Sequence, residues 1–305
     1  MPSSAHPQAP ASSAQLRRGG RRGRERSPRT TIGQPQELGS QRDSFRGVID
    51  LHTHILPGID DGPETIEGSL ELARAAFAAG TRTLVATPHI NRAHDVDPPR
   101  VREAADRLRD RLDQEGIELE LLTGGEISTG RLPRLSDDEL GALRLGDGPY
   151  LLIEAPLTSG AWQLTEIVER LIDDGHGVLL AHPERCPGLH RDPALLRDLV
   201  ARGALCSITA GALTGQFGRT VNRFALELLR EGLVHDVASD THDTRRRPPD
   251  LRKPLASAAT QLPGLDGQVK WLTEGVPAAI LAGESLPERP PLPSRGWRER
   301  VLGRP

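Results

Sequence analysis

Residues 48–63 read VIDLHTHILPGIDDGP. The run opens with β-branched and apolar residues, which favour a strand, and closes on Gly and Pro, which favour a turn. Side chains alternate faces along a strand. Asp50, His52 and His54 therefore share one face, and Leu51, Thr53 and Ile55 the other. With the apolar set packed against helices, the two histidines point into the mouth of the fold, and Asp60-Asp61-Gly62 follows in the loop just beyond. The fold is decided by whether such polar residues recur at later strand ends.

They recur along an alternating pattern. TIEGSLELARAAFAAG has apolar residues at helical spacing and Gly80 as its stop. RTLVATPH is a strand. DPPRVREAADRLRDRLDQEG is a helix with Pro near its start and Gly116 near its end. IELELLTGGE and YLLIEAP are strands, AWQLTEIVERLIDDG a helix, GVLLAHPER a strand, DPALLRDLVARG a helix and ALCSITAG a strand. TVNRFALELLREG is a helix and LVHDVASDTH a strand, followed by two more helical stretches. About seven strands, nearly all separated by helices, imply parallel pairing with right-handed crossovers. Seven such units within residues 47–285 suit a closed (β/α) barrel better than two separate domains; an open doubly wound sheet is the alternative. Neither G-x-G-x-x-G nor G-x-x-x-x-G-K-[ST] occurs, so no nucleotide fingerprint supports that alternative.

Composition sets the outer limits. The 305 residues suffice for one large domain or two small ones. No apolar run approaches the ~20 residues that cross a bilayer, so membrane insertion is not expected. Two cysteines, Cys186 and Cys206, make no disulfide scaffold and fit a reducing cytoplasm. Residues 1–46 hold nine Arg against three acids, a net of +6; the other 30 basic and 39 acidic residues carry −9. That Arg-rich segment is too poor in apolar residues to bury a core, and is expected to be a disordered tail. Residues 286–305, rich in Pro and Arg, are expected to be a second loose tail. The acidic body disfavours nucleic acid as partner, although the basic tail weakly favours it.

The strand ends carry the chemistry. His52 and His54 end the first strand, with Asp61 beyond. RTLVATPH ends in His89 and LELLTGGE in Glu126, and YLLIEAP carries Glu154. GVLLAHPER carries His182, Glu184 and Arg185, and LVHDVASDTH ends with Asp240 and His242. Parallel strands place active sites at this C-terminal rim. Taken singly, each residue has a plain structural reading: a hydrogen-bonded histidine, an Asp closing a turn, a glutamate paired to a helix. The five imidazoles and the carboxylates of Asp61, Glu126, Glu154 and Asp240, nine converging groups, would desolvate badly without a cation. A mixed His and carboxylate set suits Mn, Fe or Zn. Nine donors exceed one ion's needs, so two or three divalent ions are expected, of the kind that activate water and clamp a phosphoryl group.

The blocks DLHTHILPGIDDGP, ATPH, GGEI, LLIEAP, AHPER and ASDTH, in that order, resemble the polymerase-and-histidinol-phosphatase (PHP) superfamily. HILPGIDDGP, AHPER and SDTH followed by RRPP resemble its CpsB/CapC branch, the bacterial metal-dependent tyrosine phosphatases of capsule and exopolysaccharide loci. The resemblance spans residues 48–283. It implies an α/β fold, a distorted (β/α)7 TIM-like PHP barrel holding up to three metals, often manganese, and hydrolysis of phosphotyrosine on the tail of a bacterial tyrosine kinase by metal-activated water. Carried over by motif, the metal ligands would be His52, His54, Asp61, His89, Glu126, Glu154, His182, Asp240 and His242, with Glu126 bridging. Arg185 and Arg247 match arginines that hold the phosphate, as guanidinium forks can. Arg246, next in the same triple, could substitute for Arg247. A homo-oligomer is compatible with the sequence.

Cysteine chemistry fits poorly. Cys186 has four residues before Arg191, and Cys206 meets no Arg until Arg219, so neither makes a cysteine-phosphatase loop. Two departures from the family pattern bear on the pocket: Cys186 stands where an aromatic residue usually follows HPER, and Ser207 and Thr209 stand where larger amides are usual. The alternatives are a PHP phosphoesterase acting on a small phosphomonoester or nucleic acid, and a non-catalytic phosphotyrosine-binding regulator.

Overall fold

β1 (Val48–Thr53) is buried along its whole length, its apolar residues and its histidines alike. It starts a barrel seen in a computed structural model that describes residues 47–94, 96–157 and 161–292. The expected tail over residues 1–46 and the last residues, 293–305, lie outside the described residues.

β1 is followed by α1 (Ile66–Ala79), whose buried Ser69, Leu72, Ala73 and Ala76 recur at helical spacing. Thr65 caps its start by accepting from the Gly68 N–H, and Gly80 ends it at φ 101°, a conformation that favours glycine. β2 (Thr81–Ala86) and β3 (His89–Ile90) follow, then α2 (Pro98–Gln114), capped by Asp97. β4 (Glu120–Thr123), β5 (Glu126–Ser128), the short α3 (Asp137–Ala142) and β6 (Tyr150–Glu154) come next. The second half runs α4 (Gln163–Asp173), β7 (Gly177–Ala181), α5 (Pro187–Arg191), α6 (Pro193–Ala201), β8 (Leu205–Thr209), α7 (Ala210–Leu213), α8 (Arg219–Glu231), β9 (Asp236–Ala238), α9 (Arg252–Gln261) and α10 (Val276–Ala282).

All strand pairs are parallel, in the orders β1-β2-β4 and β3-β5-β6-β7-β8-β9. The second and third of the seven expected strands are each broken in two. Pro88 has no N–H to donate, so the stave β2/β3 pauses at Thr87-Pro88. The stave β4/β5 pauses at Gly124-Gly125, yet the Gly124 N–H donates to the Ala86 carbonyl (2.9 Å) and the Glu126 N–H to the Pro88 carbonyl (3.0 Å), so pairing resumes. A Cβ on Gly125 would lie 2.8 Å from Leu143 Cδ2 and 2.9 Å from Ile90 Cγ1. Only glycine fits that approach. The ring closes where Thr53 bridges Thr241 and the His54 N–H donates to the Thr241 carbonyl (3.0 Å). The result is the expected distorted seven-stave α/β barrel.

One expectation shifts. Residues 286–292, assigned to the loose tail, lie against the body. The Trp271 indole N–H donates to the Pro287 carbonyl (2.9 Å), the Arg289 guanidinium sits 4.1 Å over the Trp271 ring, and Leu286 and Leu292 pack on the core. Among the described residues no helix is long and apolar enough to cross a membrane.

Candidate metal centre

The barrel brings all nine expected ligands to one rim. β1 supplies His52, with His54 directly after its end, β3 His89, β5 Glu126 and β6 Glu154. His182 follows β7 directly, and Asp240 and His242 follow β9. Among the described residues, His182 (φ 36°) and Asp240 (φ 52°) are the two non-glycine residues with left-handed backbone. Such conformations cost energy and persist where the surroundings enforce them, often at functional sites.

Glu126 is the hub. Its Oε1 lies 2.7 Å from His182 Nε2, and its Oε2 lies 2.7 Å from His89 Nδ1 and 3.5 Å from both His52 Nε2 and His54 Nε2. The two nitrogens of the first strand are 3.1 Å apart. Asp240 Oδ1 lies 3.4 Å from His54 Nε2 and 3.6 Å from His52 Nε2. Asp61 Oδ1 lies 3.2 Å from His242 Nε2 and 3.5 Å from His89 Nε2. Three overlapping groups have donor atoms mutually within 4.8 Å: His54, Asp61, His89 and His242; His52, His54 and Glu126; His89, Glu126 and Glu154.

These residues fit metal ions. Ligand atoms bound at 2.0–2.2 Å to one ion are themselves ~3.0–3.5 Å apart, which is the spacing of the imidazole and carboxylate atoms around Glu126. Its Oε2 is buried and makes no hydrogen bond, an orphaned acceptor aimed into the cluster. The imidazoles are turned to expose lone pairs. The His54 Nδ1–H donates to Asp60 Oδ2 (2.7 Å), leaving Nε2 free to face inward. The His242 Nδ1–H donates to the Asp240 carbonyl (2.9 Å), which does the same for its Nε2.

The electrostatics are those of a built anionic site. Burial opposes ionisation of Glu126 and Asp240, but the surrounding histidines, with Arg247 at Asp240, hold both well below the usual carboxylate range. Asp61 is held low chiefly by its contact with His242. Burial works against charging His54, yet the Asp240 and Asp60 carboxylates push it up to about 10. Glu154 goes the other way: burial, then the charge of Glu126, pushes it up to about 7.

Two arginines flank the cluster. Arg185 Nη1 donates to Asp240 Oδ2 (2.9 Å), and Arg247 Nη2 donates to the same oxygen. Arg247 Nη1 lies 2.9 Å from His242 Nε2. Arg246 is exposed; its contribution is a backbone carbonyl accepting from Gln216 (2.7 Å). Of the two, Arg247 is the one that reaches the cluster. Cys186 and Cys206 are both fully buried, and burial pushes the Cys206 thiol far up. Of the two polar substitutions, Ser207 donates its hydroxyl to Asp236, whereas the Thr209 hydroxyl is buried and makes no hydrogen bond, its backbone N–H alone donating to the Glu184 carboxylate (2.9 Å).

Two site residues were not on the expected list. Asp60 takes the turn role anticipated for Asp61: its Oδ1 accepts from the Gly62 N–H (3.1 Å), while Oδ2 accepts from His54 and from the His89 N–H (3.0 Å). The doubled aspartate was the available signal, one acid for the turn and one for the cluster. His94 stacks on His89 with ring centroids 5.5 Å apart; its place in the loop after β3 carried no sequence signal.

Residues 48–264 match the family model described as capsular polysaccharide synthesis, CpsB/CapC. The chain is 41% identical over 203 residues to the tyrosine-protein phosphatase YwqE of Bacillus subtilis (strain 168), covering 66% of this chain and 79% of that protein. It is 28% identical over 214 residues to the tyrosine-protein phosphatase CpsB of Streptococcus pneumoniae, covering 68% and 87%. Among solved structures it superposes, at TM-score 0.70 and 35% identity, on one from a study of YwqE from Bacillus subtilis and CpsB from Streptococcus pneumoniae, described as metal-dependent tyrosine phosphatases; the match covers 81% of this chain and 99% of that one.

Proposed function

The chain belongs to the CpsB/CapC family of capsular polysaccharide synthesis, and from that premise we propose that it is a metal-dependent protein-tyrosine phosphatase. The observation that carries this reading is the convergence of nine donor side chains and two guanidiniums on one barrel rim, in a chain whose relatives are named tyrosine phosphatases.

His52, His54, Asp61, His89, Glu126, Glu154, His182, Asp240 and His242 would hold two or three divalent ions, manganese foremost, with iron or zinc able to replace it. Bound there, the ions supply positive charge to phosphoryl oxygens and activate water as the nucleophile. The protein's own part is to hold and orient. Asp60 fixes the ring of His54, and Glu126, touching four histidines, ties the staves together around a common charge. Arg185 and Arg247 are drawn from Asp240 to the incoming phosphoryl oxygens, where a planar fork donates two bonds at once. They stabilise the charge that builds there as the phenolate leaves. No phosphoenzyme on cysteine is needed, and both thiols are buried. The substrate is the tyrosine-phosphorylated tail of a bacterial kinase that controls capsule or exopolysaccharide synthesis, met in the cytoplasm.

The test is phosphate release from a phosphotyrosine peptide and a phosphoserine control, using chelator-stripped protein reloaded with Mn, Fe, Zn or Mg. Metal-dependent release from phosphotyrosine, little affected by vanadate and lost in His182→Ala, is expected. A protein that binds ions yet releases no phosphate from phosphotyrosine with any of them would sink the reading.

A further inference from the structure

Phe217 is the one aromatic side chain within cation–π range of both arginines beside the metal cluster, among the described residues. The Arg185 guanidinium carbon lies 4.5 Å from the ring centroid, and that of Arg247 lies 6.0 Å from it. Neither arginine is held by its stem alone. Both converge on Asp240 Oδ2, and both turn a guanidinium toward the same ring.

The loop that carries Phe217 is built to stay in place. Gly215 (φ 80°) and Gly218 (φ 92°) bracket it in the left-handed region, and the Gly218 N–H donates to the Gly215 carbonyl (2.9 Å). The Gln216 N–H donates to the Gly211 carbonyl (3.1 Å), and a Cβ on Gly211 would lie 2.2 Å from Gln216 Oε1 and 3.3 Å from Phe217 Cε2. Gln216 Nε2 then donates to the Arg246 carbonyl (2.7 Å), which ties this loop to the arginine loop. Phe217 itself is half-buried and packs on the core.

We propose that Phe217 is a positioning residue for phosphate: its ring is the shelf that holds the Arg185 guanidinium, and at longer range that of Arg247, in register with the metal cluster. This rests on the phosphatase reading of the same site. Phosphate can draw the two forks off Asp240 without their losing orientation, because the ring face remains one side of each. A cation over an aromatic face is favoured by ~0.5–2 kcal/mol according to its desolvation. Arg185, the closer and only part-exposed, takes most of the effect.

The experiment compares wild type with Phe217→Leu, Phe217→Tyr and Phe217→Trp, all metal-loaded. It measures KM and kcat on a phosphotyrosine peptide, Kd for inorganic phosphate by calorimetry, metal content and Tm. Phe217→Leu is expected to raise KM and the phosphate Kd by the same factor, roughly 3- to 30-fold, with metal content unchanged. Tyr and Trp should restore both to within about twofold, because each keeps an aromatic face. A Phe217→Leu chain that binds phosphate like wild type overturns the proposal. So does a Tyr variant as weak as the Leu variant; where Leu impairs folding, a folded Tyr variant with a phosphate Kd more than about threefold above wild type overturns it instead. If the wild type fails to hydrolyse the peptide, the phosphatase reading falls, and the phosphate Kd series still tests the shelf.

Discussion

Replacing Asp60 with asparagine should loosen the metal cluster without touching a ligand. The Asp60 carboxylate accepts from three donors: His54 Nδ1–H at 2.7 Å, the His89 N–H at 3.0 Å and the Gly62 N–H at 3.1 Å. An asparagine side chain offers one oxygen where the aspartate offers two. Whichever way the amide turns, its NH2 faces at least one of these N–H groups. If it faces Gly62, the turn that places Asp61 is weakened; if it faces His54, the ring loses the acceptor that fixes its tautomer. An unsatisfied buried donor costs ~1–3 kcal/mol, which corresponds to roughly 5- to 150-fold in an equilibrium constant. Outer partners of metal-binding histidines are typically worth ~10–100-fold in metal affinity. Asp60→Asn should therefore weaken the ion that uses His54 by about 10- to 100-fold and leave the number of ions at saturation unchanged. Competition against a chromophoric chelator reads the affinity, and metal analysis at saturation reads the count. Affinity within twofold of wild type would refute the reasoning, because neither the weakened Gly62 turn nor the lost His54 acceptor would then reach the cluster.

Three further outcomes are expected. Arg247→Ala should lower kcat/KM on a phosphotyrosine peptide by at least ~10-fold, the worth of a charge-assisted bond to phosphate, while Arg246→Ala stays within about twofold; steady-state kinetics of the two variants separate them. Gly125→Ala should destabilise the fold by ~1–3 kcal/mol through overpacking against Leu143 and Ile90, visible as a drop in the denaturant midpoint. Burial pushes the Asp236 carboxyl up to about 8 from the ordinary 3.8, so the folded chain holds a proton there that the unfolded chain releases. Its contribution to stability is full below the unfolded value and is lost as pH rises toward 8. In chelator, the Tm of wild type should fall more between pH 5 and 8.5 than that of Asp236→Asn, and parallel curves would contradict this.

The grouping of the nine candidate donors was legible because eight of them sit at or just past strand ends, which periodicity and motif both mark, and motif alone marked Asp61 in the loop after β1. What escaped was decided by contacts that periodicity does not encode. Asp60 and Asp61 are chemically identical neighbours; only the reach of the Gly62 N–H and of His54 assigns one to the turn. In the arginine triple, Asp243 Oδ1 takes the backbone N–H groups of Arg245 (2.7 Å) and Arg246, which shapes the loop so that Arg247 turns inward. The broken staves follow from Pro88 and the glycine pair, signals present in the sequence but read through. Residues 286–292 look loose by composition, because proline-rich sequence does not disclose that Trp271 and Gln268 are waiting for their carbonyls. Phe217 belongs to no repeating pattern at all.

The left-handed backbone at His182 and Asp240 has a consequence for how such a chain can change over time. Left-handed geometry costs a non-glycine residue ~1–2 kcal/mol, and glycine would relieve it at either position. Glycine has no side chain to offer a cation. Relief of strain alone therefore favours glycine at these two positions, but glycine would also strip Glu126 and the Arg185 and Arg247 guanidiniums of buried partners, a larger loss. The strained backbone is thus held by the contacts of the side chains it carries, and in descendants of such a chain the bend and its side chain should persist together or be lost together.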